Sequence, residues 1–162
     1  MKRLFFLLFC TLVLSANAQT VTRTQHRTAV AQDVVTTGTL TIRKPDYISI
    51  STNGGREQLV MDGTKFVMTM GGKQHVTDSR KNPQFATFHS VLKAVITGQP
   101  IPDGDDLTVV AKNGQKTITI TPAKKKRQLF TSFVLTIDAS SFAIRQLRMN
   151  ERGGNFIIYD LK

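Results

Sequence analysis

The sequence predicts a mainly β chain: a single antiparallel sheet, curled on itself, with one helix. Three observations predict it. Apolar and polar residues alternate with period 2 along most of the chain, Gly-rich turns interrupt that alternation at short intervals, and one stretch switches to helical spacing. The alternation is cleanest in Thr117-Ile118-Thr119-Ile120-Thr121, where two isoleucines face one way and three threonines the other. It recurs in Tyr47-Ile48-Ser49-Ile50-Ser51, in Phe66-Val67-Met68-Thr69-Met70 and in Phe133-Val134-Leu135-Thr136-Ile137. Further strands are expected at 21–30, 34–42, 58–61, 107–111, 143–149 and 155–159.

Asn53-Gly54-Gly55, Asp62-Gly63, Gly71-Gly72, Asn113-Gly114 and Gly153-Gly154 punctuate these runs with residues that tolerate positive φ, as tight hairpins require. Strands joined by turns this short are antiparallel, so the chain reads as one long meander. After Asn82-Pro83, the residues Phe85, Phe88, Leu92 and Val95 fall on one helical face, widened by Val91 and Ile96. Asn82 suits the N-cap, Pro83 the first turn and Gly98 the C′ position, so a helix is expected from Pro83 to Thr97. A loop, Gln99-Pro100-Ile101-Pro102-Asp103-Gly104, follows it.

About ten strands at ~4.8 Å spacing would make a flat sheet nearly 50 Å wide, whereas one helix is only ~10–12 Å across. Twist curls large antiparallel sheets. The inward residues must therefore either fill a closed barrel or line a concavity that holds something apolar. The residues placed inside by the alternation are Ile48, Ile50, Leu59, Met61, Phe66, Met68, Ile118, Ile120, Phe133, Leu135, Ile137, Leu147 and Met149. Methionines suit surfaces that repack around variable ligands, and equally suit an ordinary core.

The N-terminus has the order of a secretory leader. Lys2 and Arg3 form a positive n-region, Leu4 to Leu14 an apolar run too short to span a bilayer, and Ser15-Ala16-Asn17-Ala18 a small-x-small cleavage site. Cleavage is expected after Ala18, leaving residues 19–162 as one domain. Cys10, the only cysteine, lies in the apolar run with Phe9 before it and leaves with the leader, so no disulfide is expected. An exported chain without a cysteine framework fits a bacterial periplasm. Lysine and arginine number 22 against 11 carboxylates. In an envelope compartment that excess points to anionic lipid headgroups, acidic membrane proteins or lipopolysaccharide, or simply to solubility, and not to nucleic acid. Lys124-Lys125-Lys126-Arg127, between two strands, is the densest basic run; it is either a solvated turn or a contact with an anionic membrane surface.

Several stretches resemble the outer-membrane lipoprotein carrier protein family (LolA-like). Gly38-Thr39-Leu40-Thr41-Ile42-Arg43-Lys44-Pro45 is similar to that family's Gly-x-hydrophobic strand ending in a basic residue and proline. Leu59-Val60-Met61-Asp62-Gly63-Thr64-Lys65-Phe66 resembles its hydrophobic-Asp-Gly hairpin, and Ile118-Thr119-Ile120-Thr121-Pro122 its apolar strand ending in proline. Leu135-Thr136-Ile137-Asp138 and Ile144-Arg145-Gln146-Leu147-Arg148-Met149 resemble its late hairpin. The similarity runs from Thr37 to the C-terminus, and the order and spacing of the motifs carry it. It implies an unclosed β-barrel with one helix acting as lid, Phe85, Phe88, Leu92 and Val95 being the lid residues. It also implies a periplasmic carrier or chaperone that shelters the acyl chains of lipoproteins, taken from an inner-membrane ABC transporter, for delivery to the outer membrane.

Two departures from the family pattern stand out. Only a short stretch precedes the first strand here, where the family has an amphipathic helix. The basic residue before the proline is Lys44, where the family has an arginine that bonds lid carbonyls. Arg43, one residue earlier, faces the other side of a strand, so Lys44 is the expected lid contact, a weaker one because it lacks the planar fork of arginine.

Nothing in the sequence assembles an enzyme or a cofactor site. His26, His75 and His89 are scattered without metal-ligand spacing and read as surface, edge or structural residues. Asp62 sits at a hairpin, and Asp103, Asp105 and Asp106 in the loop after the helix, where carboxylates satisfy local backbone groups. The expectation is a monomeric, non-enzymatic carrier of acylated lipoproteins or other lipid. The alternative is an envelope binding or sensor module of the same fold that recognises a protein or glycolipid.

Overall fold

The computed structural model describes residues 18–123 and 128–162. The expected leader through Asn17 and the basic run Lys124–Arg127 lie outside the described residues. The elements in chain order are β1 (Gln19–Arg27), β2 (Gln32–Arg43), β3 (Tyr47–Thr52), β4 (Glu57–Asp62), β5 (Lys65–Met70), β6 (Lys73–Asp78), α1 (Pro83–Thr97), β7 (Leu107–Lys112), β8 (Gln115–Ile120), β9 (Phe130–Asp138), β10 (Ile144–Glu151) and β11 (Phe156–Leu161). Short 3₁₀ turns, Asn53–Gly55 and Arg152–Gly154, join β3 to β4 and β10 to β11.

The strands form one antiparallel sheet of 11, ordered β6-β5-β4-β3-β2-β1-β11-β10-β9-β8-β7. Two meanders meet where the first strand pairs with the last, Val21 opposite Leu161 and His26 opposite Phe156. The sheet is not closed into a barrel; β6 and β7 are its two edges. Turn chemistry explains the hairpins: Asn113 and Gly114 both take positive φ, 51° and 72°, between β7 and β8. Helix α1 has the bounds its capping residues predict. The Phe85 amide donates to the Asn82 carbonyl at 3.0 Å, and Gly98, at φ 68°, ends the helix as the Gln99 amide donates to Ala94.

Strand β6 was not expected. Its sequence, Lys-Gln-His-Val-Thr-Asp, is mostly exposed, because an edge strand next to solvent needs no apolar face. The other strands differ from expectation by a few residues at their ends.

Pairing puts one side chain in two on the concave face: Leu40, Ile50, Leu59 and Met68 in one row, Ile48, Met61 and Phe66 in the next. Across the sheet, Ile120, Phe133, Met149 and Ile157 lie level. Gly38 faces the same side, and there β2 and β3 approach so closely that a Cβ would sit 1.8 Å from the Ser51 carbonyl oxygen.

Candidate functional site

The concave face and the helix seated in it form the candidate site. All the inward residues predicted from alternation, from Ile48 to Met149, are buried in one cluster, together with Phe85, Phe88, Val91, Leu92 and Val95 of α1. An aromatic chain ties the helix to both halves of the sheet. Phe85 stacks on Phe66 of β5 at 4.3 Å between centroids, and Phe88 on Phe133 of β9 at 4.7 Å. Phe130 meets Phe85 edge-on at 6.3 Å. The helix thus spans the gap that the sheet leaves unclosed.

The expected broad hollow is filled to this extent by the protein itself. The sheet curls until its two halves reach a single helix, so one helix with a wide apolar stripe suffices where a flat sheet would need several. The open space lies at one side, a pocket of about 370 Å³. Phe66, Met68, His75 and Thr77 of β5 and β6 form one wall; Asn82, Pro83 and Phe85 form the helix N-terminus; Ala123, Gln128 and Leu129 close the far side. The sequence pattern had singled out only Phe66 and Met68, by alternation, and Phe85, by helical spacing, as facing inward. The others lie on an edge strand, in loops and at the first residue of the helix, where no periodic signal marks them.

Polar tethers hold the helix at two places. His89 Nε2 lies 3.4 Å from Asp46 Oδ2, and its Nδ1 lies 3.3 Å from Ser79 Oγ, so the ring links α1 to the β2–β3 loop and to the segment after β6. The Thr87 hydroxyl donates to Asp106 Oδ2 at 2.6 Å. Asp46 therefore makes the contact between the β2–β3 loop and the helix for which Lys44 was singled out. Lys44 itself is exposed and has no hydrogen bond or ion pair with a described residue. Arg43, on the outer side, lies over the Tyr47 ring at 3.8 Å.

A buried polar cluster on the same face escaped the sequence. Arg23 of β1 points inward and is wholly buried; Nη1 lies 3.0 Å from Glu57 Oε2 of β4, though not aligned as a hydrogen bond. Its Nη2 donates to Gln25 Oε1 at 2.9 Å and approaches Met70 Sδ at 3.7 Å, while Nε finds no acceptor. Tyr159 of β11 is nearby; burial pushes its phenol above the usual tyrosine range against the opposing pull of Arg23. Register alone carried the signal: Val21, Arg23 and Gln25 share one face of β1, so an inward arginine follows once Val21 is inward.

Two further carboxylates serve turns. Asp138, at the end of β9, accepts from the Ser140 hydroxyl and from the amides of Ser141 and Ser140, which hold its carboxyl well below the usual range. Asp78 is likewise held low by the Arg80 guanidinium and amide. His26 pairs with Asp33 at 2.6 Å and stacks on Phe156. His75 is exposed at the pocket wall. Among the described residues, no group of three or more His, Cys, Asp or Glu is placed to hold a metal. Among them, too, no helix is long and apolar enough to cross a membrane.

The family model described as outer membrane lipoprotein carrier protein LolA matches residues 14–162. Comparison with curated protein sequences finds no match. Among solved structures, similarity extends to the LolA superfamily protein NE2245 from Nitrosomonas europaea: 8% identity, 90% of this chain and 83% of that one covered, TM-score 0.34. It also extends to a putative outer membrane lipoprotein-sorting protein domain from Vibrio parahaemolyticus, with 6% identity, 90% and 82% coverage and TM-score 0.33. A third is the Pseudomonas aeruginosa MucA/MucB complex, with 11% identity, 90% and 50% coverage and TM-score 0.39. The sequence match spans nearly the whole chain, and on that ground the chain belongs to the LolA family of outer membrane lipoprotein carrier proteins.

Proposed function

We propose that this is an exported envelope protein, cut after Ala18, that shelters the acyl chains of lipoproteins on the concave face beneath α1. In this reading it works in the periplasm as a carrier or chaperone, receiving cargo from an inner-membrane ABC transporter for delivery to the outer membrane. Ile48, Ile50, Leu59, Met61, Phe66, Met68, Ile118, Ile120, Phe133, Leu135, Ile137, Leu147 and Met149 are the wall that acyl chains would meet. Phe85, Phe88, Leu92 and Val95 are the lid.

One observation carries the reading. The helix is the only α-helix among the described elements, it is joined to the sheet through loops and side chains, and it fills a concavity that the strands leave unclosed. Displacing it exposes five large apolar side chains at ~1.5–3 kcal/mol each. An acyl chain regains ~0.8 kcal/mol per methylene buried, so roughly 10 to 20 methylenes offset the loss. A long acyl chain can therefore replace the helix, and a short one cannot. The mechanism is desolvation without bond chemistry, and release follows when the helix reoccupies its seat. The run Lys124–Arg127 supports an approach to an anionic membrane surface during exchange.

Native mass spectrometry with lipid extraction, on protein purified from the periplasm, tests the proposal. A bound acylated species is expected. Leu129 lines the pocket and is 44% exposed, so Leu129→Glu should weaken uptake of a long-chain acyl probe without unfolding the chain. Leu135 and Ile120 are poor probes, because each is fully buried and a carboxylate there would cost the fold itself. Protein that carries no lipid and takes up no acyl probe would exclude a carrier. It would favour the second reading, a binding or sensor module for a protein or glycolipid. The confinement of the open space to about 370 Å³ at one side of the helix is the observation that speaks for it.

A further inference from the structure

The hairpin between β1 and β2 carries an apolar surface that the fold leaves uncovered. The pairing of β1 with β11 ends at His26 opposite Phe156, and that of β2 with β3 at Gly38 opposite Thr52. Beyond those points the two strands pair only with each other, as far as Arg27 opposite Gln32. The result is a finger of residues 27–35, every one of them exposed. Val30 at the tip is 63% exposed, Val34 53% and Val35 59%, with Ala29 and Ala31 beside the tip. Val34 and Val35 are consecutive in a strand and point to opposite faces, so the finger is apolar on both sides and at its end. Protruding strands are ordinarily blunted with charge. Here the charges are Arg27 at the root and Asp33, the latter paired with His26.

Cations surround the root. The Thr28 amide donates to Asn155 Oδ1 and its hydroxyl to the Gly153 carbonyl, each at 2.9 Å. These bonds fix the finger against the turn that carries exposed Arg152. The turn Asn53–Gly55 packs on β2, and exposed Arg56 follows it. Antiparallel order puts the β5–β6 turn, with Lys73, at the same end of the sheet. Besides Asp33, the carboxylates at this end are Glu151, half-buried, Glu57, which faces Arg23, and, out towards the far edge of the sheet, Asp103, Asp105 and Asp106 in the loop before β7, the last bonded to Thr87.

We infer that this finger docks on an anionic lipid surface, its apolar tip entering the headgroup layer while Arg27 and Arg56 lie over the phosphates. An apolar projection ringed by cations, on a chain with twice as many basic as acidic residues, has the two features that interfacial binding requires. The inference does not depend on a lipid cargo. It concerns a surface at the hairpin end of the sheet, apart from the pocket residues.

The chain contains no tryptophan, which makes the test direct. Val30→Trp puts the sole indole at the finger tip, and Val110→Trp puts one on the exposed edge strand β7 as control. The full chain, expressed with its own N-terminus, is mixed with vesicles of phosphatidylcholine alone or with phosphatidylglycerol added. With phosphatidylglycerol, the Val30→Trp emission moves to the blue and is quenched by brominated acyl chains. With phosphatidylcholine alone it stays in place, and Val110→Trp stays in place throughout. Arg27→Gln and Arg56→Gln each lower vesicle partition about fivefold, and high salt lowers it further. An unshifted Val30→Trp on phosphatidylglycerol vesicles overturns the inference, as does an equal response from Val110→Trp. A blue shift that appears without vesicles and grows with protein concentration also overturns it, assigning the finger to self-association.

Discussion

Arg23 of β1 meets Glu57 of β4 on the concave face, Nη1 to Oε2 at 3.0 Å, with the arginine side chain wholly buried. Two strands, β2 and β3, separate them in the sheet. The contact therefore exists only because the sheet curls enough to bring nonadjacent strands together. A buried charge pair of this kind adds little stability relative to an apolar pair, yet breaking it is costly.

Glu57→Gln accordingly leaves a buried guanidinium without its counter-charge and should destabilise the fold by ~3 kcal/mol. The figure is set at the low end because the glutamate side chain keeps some contact with solvent. Replacing both residues, Arg23→Met with Glu57→Leu, should restore stability to within ~1 kcal/mol of the original. Urea denaturation measures both. An unchanged midpoint for Glu57→Gln would show that the pair is not needed.

At Gly38 the limit is contact, not backbone conformation. Gly38→Ala drives a methyl group into the Ser51 carbonyl oxygen and the Thr52 Cα, so a loss above ~4 kcal/mol is expected. Gly114→Ala provides the contrast. Gly114 has positive φ but open space around its would-be Cβ, and should cost only ~1 kcal/mol. Equal costs at the two sites in thermal unfolding would remove the close-approach explanation.

His89→Ala removes the ring that ties α1 to Asp46 and Ser79. Hydrogen bonds of this kind contribute ~0.5–1.5 kcal/mol each, so the helix should loosen while the strands hold. Amide hydrogen exchange should quicken across Pro83–Thr97 and stay unchanged in β1 and β11. Lys44→Ala should have no such effect. Faster exchange in Lys44→Ala than in His89→Ala would reverse the assignment of the tether.

Tyr159 governs an alkaline limb. Its folded-state pKa lies above the unfolded value of about 10 because burial disfavours the phenolate. Its contribution is fully present below pH 10 and is lost as pH rises through the folded value. The chain has two tyrosines, so a titration followed by phenolate absorbance should show a late phase that Tyr159→Phe abolishes. A titration without a late phase, or a late phase that survives in Tyr159→Phe, would refute the burial argument.

Much of the architecture was legible residue by residue. Isoleucines alternating with threonines identified strand β8, and Asn82, Pro83 and Gly98 marked the bounds of the helix, because such residues report local backbone preferences. Strand β6 was not legible: an edge strand has no buried face, so Lys73–Asp78 carries no alternation. Arg23 was missed for the opposite reason. Its face of β1 is buried, but an arginine breaks the apolar pattern by which burial is recognised. The pocket residues Thr77, Gln128 and Leu129 come from an edge strand and a loop, brought together only by the curl.

The sequence by itself determined an antiparallel meander with one capped helix and decided which side chains share a face, since periodicity and turn chemistry are properties of neighbours along the chain. Only the tertiary structure decided how tightly the sheet curls, that β1 closes on β11 while β6 and β7 stay apart, and that the helix fills the hollow. Those outcomes depend on contacts between residues distant in sequence, Val21 with Leu161 and Phe85 with Phe130 among them, where no local pattern records the distance.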